Sequence, residues 1–591
     1  MARHPLILAY GAALIPGLVM AIAQPVWSRV DEAQHADFIV QLSHGVYPVA
    51  DATLIDPETL QVMQSTGTYR FGVPGTYPVP DLTDFGPPPA GMSAHANAAW
   101  MSRHLFQLSF ESSQTPGYYL TMVPPWWIID RLGGPLLAVY GIRIINALLI
   151  ALLAPMAVVV ATRLSPARAE IAVLAAVFAI LLPGLALNGT RISNDGLAAV
   201  LGGLAIVIAV GSVGKAWTWR RAALLGLALG AGLLVKLTLI GLAPGLALAM
   251  LWPVSGASWP RRFAQTVAAA AVAAACLLPW FLINSHVYGA FLPYVHTDRL
   301  AGSLPTPFTP PFVLVDVAVF FLSFWSGEPL GSVPLAGPFV VVCGLVALVA
   351  AAGLIGLLRR RPLAVPAGPL VVASVAVCGL VGITLLLPAG AGFEFTGPGR
   401  YAYPALPAIA ALTGLGIHSA IPNPVARRAF TAFYGLAAVV VLAAVAAGLP
   451  NDKQPGSGAP PADARIEAVS ATNNLGGTVI RIDGVALDDA AKGTWIRVTV
   501  ANSGSDEAEW TVAPVVSVGD LVAVGDYLRS THLPGDVDSG QTVTGWLFVP
   551  LDPVNLHVGQ LLHVRFPDVA IDGYRTVGDV DLDFPLPPLT G

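Results

Sequence analysis

"GIRIINALLIALLAPMAVVVA", residues 141–161, carries a single charge, Arg143, in a stretch otherwise built from aliphatic and small residues. An apolar run of about 20 residues matches the thickness of a bilayer's hydrocarbon core. Comparable runs begin at Leu6, Gly141, Ile171, Gly196, Ala222, Leu239, Phe263, Gly337, Leu363, Tyr401 and Phe430, which predicts about eleven spans. The 591-residue chain is 55% hydrophobic and 11% charged, with a mean hydropathy of +0.69. A soluble domain carries roughly 25% charged residues, so the composition is that of an integral membrane protein.

The net charge of −5 hides a segregation of cations from carboxylates. With the N-terminus inside, the inside connections carry Arg3, Arg163, Arg168, Lys215, Arg220, Arg221, Arg261, Arg262, Arg359, Arg360, Arg361, Arg427 and Arg428 and almost no acids. That distribution follows the positive-inside rule. An odd number of spans then places the C-terminus outside, together with the loop from Gln24 to about Tyr140. The N-terminus also has signal-peptide features, Arg3, an apolar stretch and the small-residue site Ala21-Ile22-Ala23, and Asp31 lies outside whether or not it is cleaved. Cys276, Cys343 and Cys378 all lie in or beside spans, so no disulfide framework is expected. Nothing in the charge pattern points to nucleic acid.

Three parts are expected: a transmembrane part over 1–450 with a long first outer loop (24–140), a Pro- and Gly-rich linker over 451–464 ("NDKQPGSGAPPADA"), and a soluble tail over 465–591. In the tail, "GTWIRVTVANSG" alternates Ile496, Val498 and Val500 with Arg497 and Thr499, and similar segments recur between turn signals. Period-two runs at that spacing predict a β-sandwich. Trp495, Trp510 and Trp546 could bind carbohydrate if exposed, or fill the core as aromatics usually do.

Polar residues gather in the outer connections. In "SRVDEAQHADFIVQLSHGVYP" (28–48), His35, Phe38, Ile39 and Leu42 recur at helical spacing up to the Gly45 and Pro48 breakers. That predicts a short amphipathic helix lying along the membrane surface. Asp31 and Glu32 then share a face with His35, and a carboxylate there can serve as a general base. Equally, acids favour a helix N-terminus for electrostatic reasons alone. "TPGYYLTMVPPWWIID" suits an interfacial or re-entrant segment. "LNGTRISNDGLAAV" offers Arg191 for a phosphate and Asn194 and Asp195 for a substrate hydroxyl or cation, or else simple helix-start chemistry. Lys236 interrupts an apolar stretch, which marks a functional site unless it snorkels. "GFEFTGPGRYAYPALP" brings Glu394, Arg400 and Tyr401 to the start of another span, where a guanidinium fork suits phosphate oxygens. The outer segment from Asn284 to Pro311 is a candidate lid.

"DEAQH" after the first span, "TPGYY" before the next, "GIRIINALL", "SNDGLAAV" and "GPGRYAYPALP", in that order and on one side of the membrane, resemble the GT-C superfamily of polytopic glycosyltransferases. The chain is similar to its DUF2142-like branch over roughly 1–450, although "TPGYY" departs from the commoner "PPLYY". The resemblance implies a GT-C-like helical domain of about 11 spans and a polyprenyl-phosphate-linked sugar as donor. It makes Asp31 the catalytic carboxylate, with Glu32 and His35 as helpers, and Arg400, Lys236 and Arg191 the ligands of the lipid phosphate. Asp195, Asn194, Tyr401 and Glu394 would then line the substrate. Members of that superfamily differ in whether a divalent metal assists, which leaves a metal cofactor open. The expected protein is therefore an inverting glycosyltransferase of a bacterial plasma membrane, acting at its outer face on a glycan or glycolipid acceptor of the cell envelope. The alternatives are a transporter or a non-catalytic assembly protein for envelope polysaccharide.

Overall fold

A computed structural model describes residues 4–27, 31–50, 52–66, 107–293, 310–327, 336–359, 365–391, 397–448, 459–510, 514–519, 521–525, 530, 536–571 and 575–588. These fall into two compact units, one carrying the long helices and the other the C-terminal strands. Of the expected linker only 459–464 is described.

The helical unit begins with α1 (His4–Ala23), α2 (Glu32–Ser43) and α3 (Pro57–Thr66). After them come α4 (Gly117–Gly133), α5 (Pro135–Ile150), α6 (Leu153–Leu164), α7 (Ala169–Ile180) and α8 (Pro183–Asn188). The bundle continues with α9 (Asp195–Ser212), α10 (Trp219–Val235), α11 (Ala243–Leu251) and α12 (Trp259–Val287). It closes with α13 (Pro310–Ser326), α14 (Ala336–Leu358), α15 (Ala367–Ala391), α16 (Leu406–Ala420) and α17 (Pro424–Gly448).

Among the described residues, seven helices are long and apolar enough to cross a bilayer: His4–Ala23, Pro135–Leu164, Asp195–Ser212, Trp259–Val287, Gly337–Leu358, Ala367–Leu386 and Pro424–Ala447. On α14, Val341, Leu348 and Ile355 repeat every seventh residue, and Val341 is 73% exposed. An apolar stripe of that kind is stable against lipid and costly against water. The protein is therefore a multi-pass membrane protein. The apolar runs starting at Ile171, Ala222, Leu239 and Tyr401 also form helices, but shorter ones, because the backbone breaks at their ends. Lys236 is extended (φ −157°, ψ 118°) between α10 and a 3-10 turn at Leu237–Leu242. Another 3-10 turn, Gly399–Ala405, precedes α16 where Pro404 removes a backbone donor. α13, with its apolar core Asp316–Ser326, lies outside the eleven expected runs.

Small residues let the helices approach closely. A Cβ on Gly226 of α10 would run into the backbone of Ala269 on α12, and one on Gly230 into Ala273 a turn along. Where lipid offers no hydrophobic drive for association, such close packing supplies the contact energy.

The expected amphipathic helix is present as α2, yet it is not a surface helix. Every residue from Glu32 to Gln41 is buried, so its polar side as well as its apolar side faces protein.

The second unit is a sandwich of antiparallel sheets built from β1 (Ile466–Leu475), β2 (Thr478–Asp488), β3 (Gly493–Asn502), β4 (Ala508–Glu509), β5 (Val515–Val518), β6 (Leu521–Val524), β7 (Asp536–Val537), β8 (Thr542–Val549), β9 (Leu561–Ile571) and β10 (Thr576–Pro585). The sheet orders are β1-β2-β3-β8 and β6-β5-β9-β4-β7 with β10 on β9. Alternation puts Ile480, Ile482, Val498 and Val500 of one sheet in the same core as Val564, Phe566, Leu582 and Phe584 of the other. Trp495 and Trp510 are each 2% exposed; their indoles fill the interior and offer no carbohydrate platform. Trp546 is half-buried, with the Arg497 guanidinium 5.6 Å from its ring.

Candidate active site at the helix breaks

The N-terminus of α2 is built unusually. Its N-cap, Asp31, sits in the left-handed region (φ 45°, ψ 3°), and its side chain makes no capping hydrogen bond. A normal N-cap residue is extended and uses its side chain on the first amides. A non-glycine residue in the left-handed region costs about 1–2 kcal/mol, a strain that clusters at functional sites.

Glu32, next along, is committed to structure. Its two oxygens take a bidentate pair of hydrogen bonds from Arg143 of α5, Nε at 2.7 Å and Nη2 at 2.6 Å, and one oxygen also accepts from Ile192 N at 3.0 Å. Arg143 directs its remaining donors to the carbonyls of Gln24 and Pro25. The pair is fully buried and ties α2, α5, the end of α1 and the turn before α9 together. Asn146, one turn further along α5, donates to Tyr118 OH at 3.0 Å and to Arg191 O at 2.6 Å.

His35 lies one turn along α2. Its Nδ1 is 2.7 Å from Tyr119 OH and 3.4 Å from Glu111 Oε2. Burial lowers its pKa from 6.5 to about 3, so the imidazole is neutral. Glu111 comes from the 3-10 turn Phe110–Ser113. Burial pushes its carboxyl well above the usual range, and the charge of Asp31 adds to that, while Lys236 and Arg400 oppose it. Glu111 is not among the residues that the sequence singles out. A lone acid in "LSFESSQTPGYY" has no period or motif to single it out, although it lies a few residues before the "TPGYY" segment.

The cations enter from the two backbone breaks. Lys236 Nζ is 2.5 Å from Asp195 Oδ1 and 3.3 Å from Asn194 Oδ1, and sits 3.8 Å above the Tyr401 ring. Arg400 Nε is 3.2 Å from the other Asp195 oxygen, Oδ2. Asp195, the first residue of α9, thus holds both cations on one aromatic platform. Irregular backbone at membrane depth is tolerated only where protein or a cavity satisfies it; here the breaks are used to turn charged side chains inward.

The structure therefore brings Asn194, Asp195, Lys236, Arg400 and Tyr401 together, and electrostatics links them to Asp31, His35 and Glu111. Arg191 is buried with its guanidinium on Gln24 Oε1 (3.1 Å) and Asn188 Oδ1 (2.9 Å), bonds that brace its own turn. Glu394 lies outside the described residues. Of the lid candidate only 284–293 and 310–311 are described; in the first part Tyr288 OH accepts from Ala50 N at 3.0 Å. Among the described residues no three His, Cys, Asp or Glu side chains form a group able to hold a metal ion.

Fold and site define a multi-pass helical membrane protein with a paired-cation, paired-acid cluster at its helix breaks and a C-terminal β-sandwich. No family model and no curated protein matches the chain. Among solved structures it is similar to ArnT from Cupriavidus metallidurans bound to undecaprenyl phosphate, with 13% identity over 76% of this chain and 75% of that one and a TM-score of 0.43. It is also similar to the arabinofuranosyltransferase AftD from Mycobacteria, with 16% identity over 76% of this chain and 26% of that one and a TM-score of 0.38. A third is the archaeal oligosaccharyltransferase AglB from Archaeoglobus fulgidus in complex with an inhibitory peptide and a dolichol-phosphate, with 12% identity over 76% and 56% and a TM-score of 0.38.

Proposed function

We propose that this protein is a GT-C-type glycosyltransferase that moves a sugar from a polyprenyl-phosphate-linked donor to a cell-envelope acceptor, with inversion, at the outer face of a bacterial plasma membrane. The observation that carries this reading is the meeting of Lys236 and Arg400 on Asp195 beside Glu111 and His35. Two cations against one carboxylate leave a single positive charge, which suits the one negative charge of a phosphodiester.

In the proposed reaction the acceptor hydroxyl attacks the anomeric carbon and its proton passes to the Asp31 carboxylate. The new carbon–oxygen bond forms as the bond to the phosphate oxygen breaks on the opposite side. The leaving polyprenyl phosphate takes the electron pair, and its added negative charge meets Lys236 and Arg400, already aimed by Asp195 and Tyr401. Burial of Glu111 disfavours its charged form, which limits its repulsion of the phosphate. Glu32 acts as a positioning residue through Arg143, and Asn194 braces Lys236. The positive-inside pattern of the loops supports an outward-facing cluster.

The test is transfer from a synthetic polyprenyl-phosphate sugar by the full chain in proteoliposomes. Asp31→Asn keeps the shape and removes the base, and should lower turnover by roughly 10²–10⁴. Transfer at the wild-type rate by this variant, or none by the intact protein with any such donor, would remove the proposal.

A further inference from the structure

Arg400 follows a loop whose backbone needs holding, and the residues that hold it come from a helix that no sequence motif marked. α13 carries an aspartate, Asp316, in an apolar run, buried at 1% exposure. An ionisable side chain in such a helix is expensive unless it has work to do. Its Oδ1 accepts the backbone N–H of Gly397 at 2.5 Å. Seven residues on, and so on the same face of the helix, Ser323 accepts the N–H of Gly399 at 2.8 Å while donating its own proton to Val319 O. One residue further, Phe324 O accepts from Tyr403 OH at 3.2 Å. The fit is tight: a Cβ on Gly399 would run into Phe320 O and Phe324 N.

We infer that Asp316 and Ser323 are positioning residues that clamp the Gly397–Gly399 backbone and thereby aim Arg400 at the donor's phosphate. This rests on the donor-phosphate reading above. The geometry explains why a carboxylate is kept in an apolar helix. The two amides that it and Ser323 engage flank Pro398, which has no N–H to offer, so the pair holds the backbone on both sides of that proline just before Arg400.

Equilibrium binding of polyprenyl monophosphate to the full chain in detergent micelles tests it. Asp316→Ala and Ser323→Ala should each weaken binding by roughly tenfold, the order of one lost hydrogen bond to a charged or buried partner. Asp316→Asn, which still presents an acceptor oxygen, should stay within roughly twofold of wild type on the same scale. Arg400→Ala should weaken binding too, and adding Asp316→Ala to it should change little, because a residue acting through another is non-additive with it. Additive losses, an inert Asp316→Ala, or an Asp316→Asn as weak as Asp316→Ala would overturn the clamp alone. Unchanged binding by Arg400→Ala would overturn both the clamp and the phosphate reading.

Discussion

His35 shows how burial changes what a side chain can do. At the surface, an imidazole beside Asp31 and Glu32 would be a cation near neutral pH; inside the protein, desolvation outweighs the attraction of Asp195 and Glu32, and Lys236 and Arg400 repel the proton further. The unfolded chain therefore takes up a proton near pH 6.5 that the folded one refuses until about pH 3. Because the folded pKa is the lower one, this contribution to stability is present above pH 6.5 and is lost as pH falls toward 3. One such proton steepens the loss by up to about 1.4 kcal/mol per pH unit. Unfolding midpoints across that range should show a shallower acid limb for His35→Gln than for wild type; parallel profiles would show that His35 does not titrate this way. The groups facing it are Tyr119, Glu111, Glu32, Asp195, Lys236 and Arg400. Glu32 and Asp31, neighbours in sequence, have opposite fates: one is locked in a buried bidentate pair, the other held in a strained conformation at the helix start.

Between elements, the Glu32–Arg143 pair joins α2 to α5, and the next turn of α5 carries Asn146 to Tyr118 and the Arg191 carbonyl. Glu32→Gln leaves a buried guanidinium without its counter-charge and should cost about 3–5 kcal/mol. Combining Glu32→Gln with Arg143→Met should cost less than Glu32→Gln alone, since no charge is then stranded. Thermal unfolding of the single and double variants in detergent decides between them, and equal losses would mean that the pair's charges are not what couples the helices. The helix breaks belong to this level as well. An apolar count reads through Lys236 and Gly399–Ala405 as though the spans were continuous. At Gly399 the backbone N–H is taken up by Ser323 of a neighbouring helix, a partner that no local pattern reports.

Across the whole molecule, the helical unit and the sandwich obey different rules of burial. Exposed stripes such as Val341, Leu348 and Ile355 are stable only where the solvent is lipid, whereas the sandwich buries its alternate residues against each other in water. Trp510 sits in that second core with its ring against Phe566 at 5.8 Å. Trp510→Ala should therefore destabilise the sandwich by about 3–5 kcal/mol, read as earlier proteolysis of the C-terminal region in the intact protein. An unchanged cleavage pattern would mean that the indole is not part of the core.

The kinds of element were legible before any coordinates: hydrophobic runs of bilayer length became helices, and period-two alternation after residue 465 became strands, because both patterns are local consequences of which face of a segment is buried. Most of the candidate site was legible too, since charges in or beside apolar runs are few and costly enough to stand out, as with Asp195, Lys236 and Arg400. What needed the folded chain was how those residues combine. The partnership of Glu32 with Arg143, the arrival of Glu111, the burial of both sides of α2 and the grip of Asp316 and Ser323 on the Arg400 loop all join residues far apart in the sequence or set one segment inside others. Such contacts are chosen by packing and by the need to satisfy buried charge, and neither quantity exists until the helices have met.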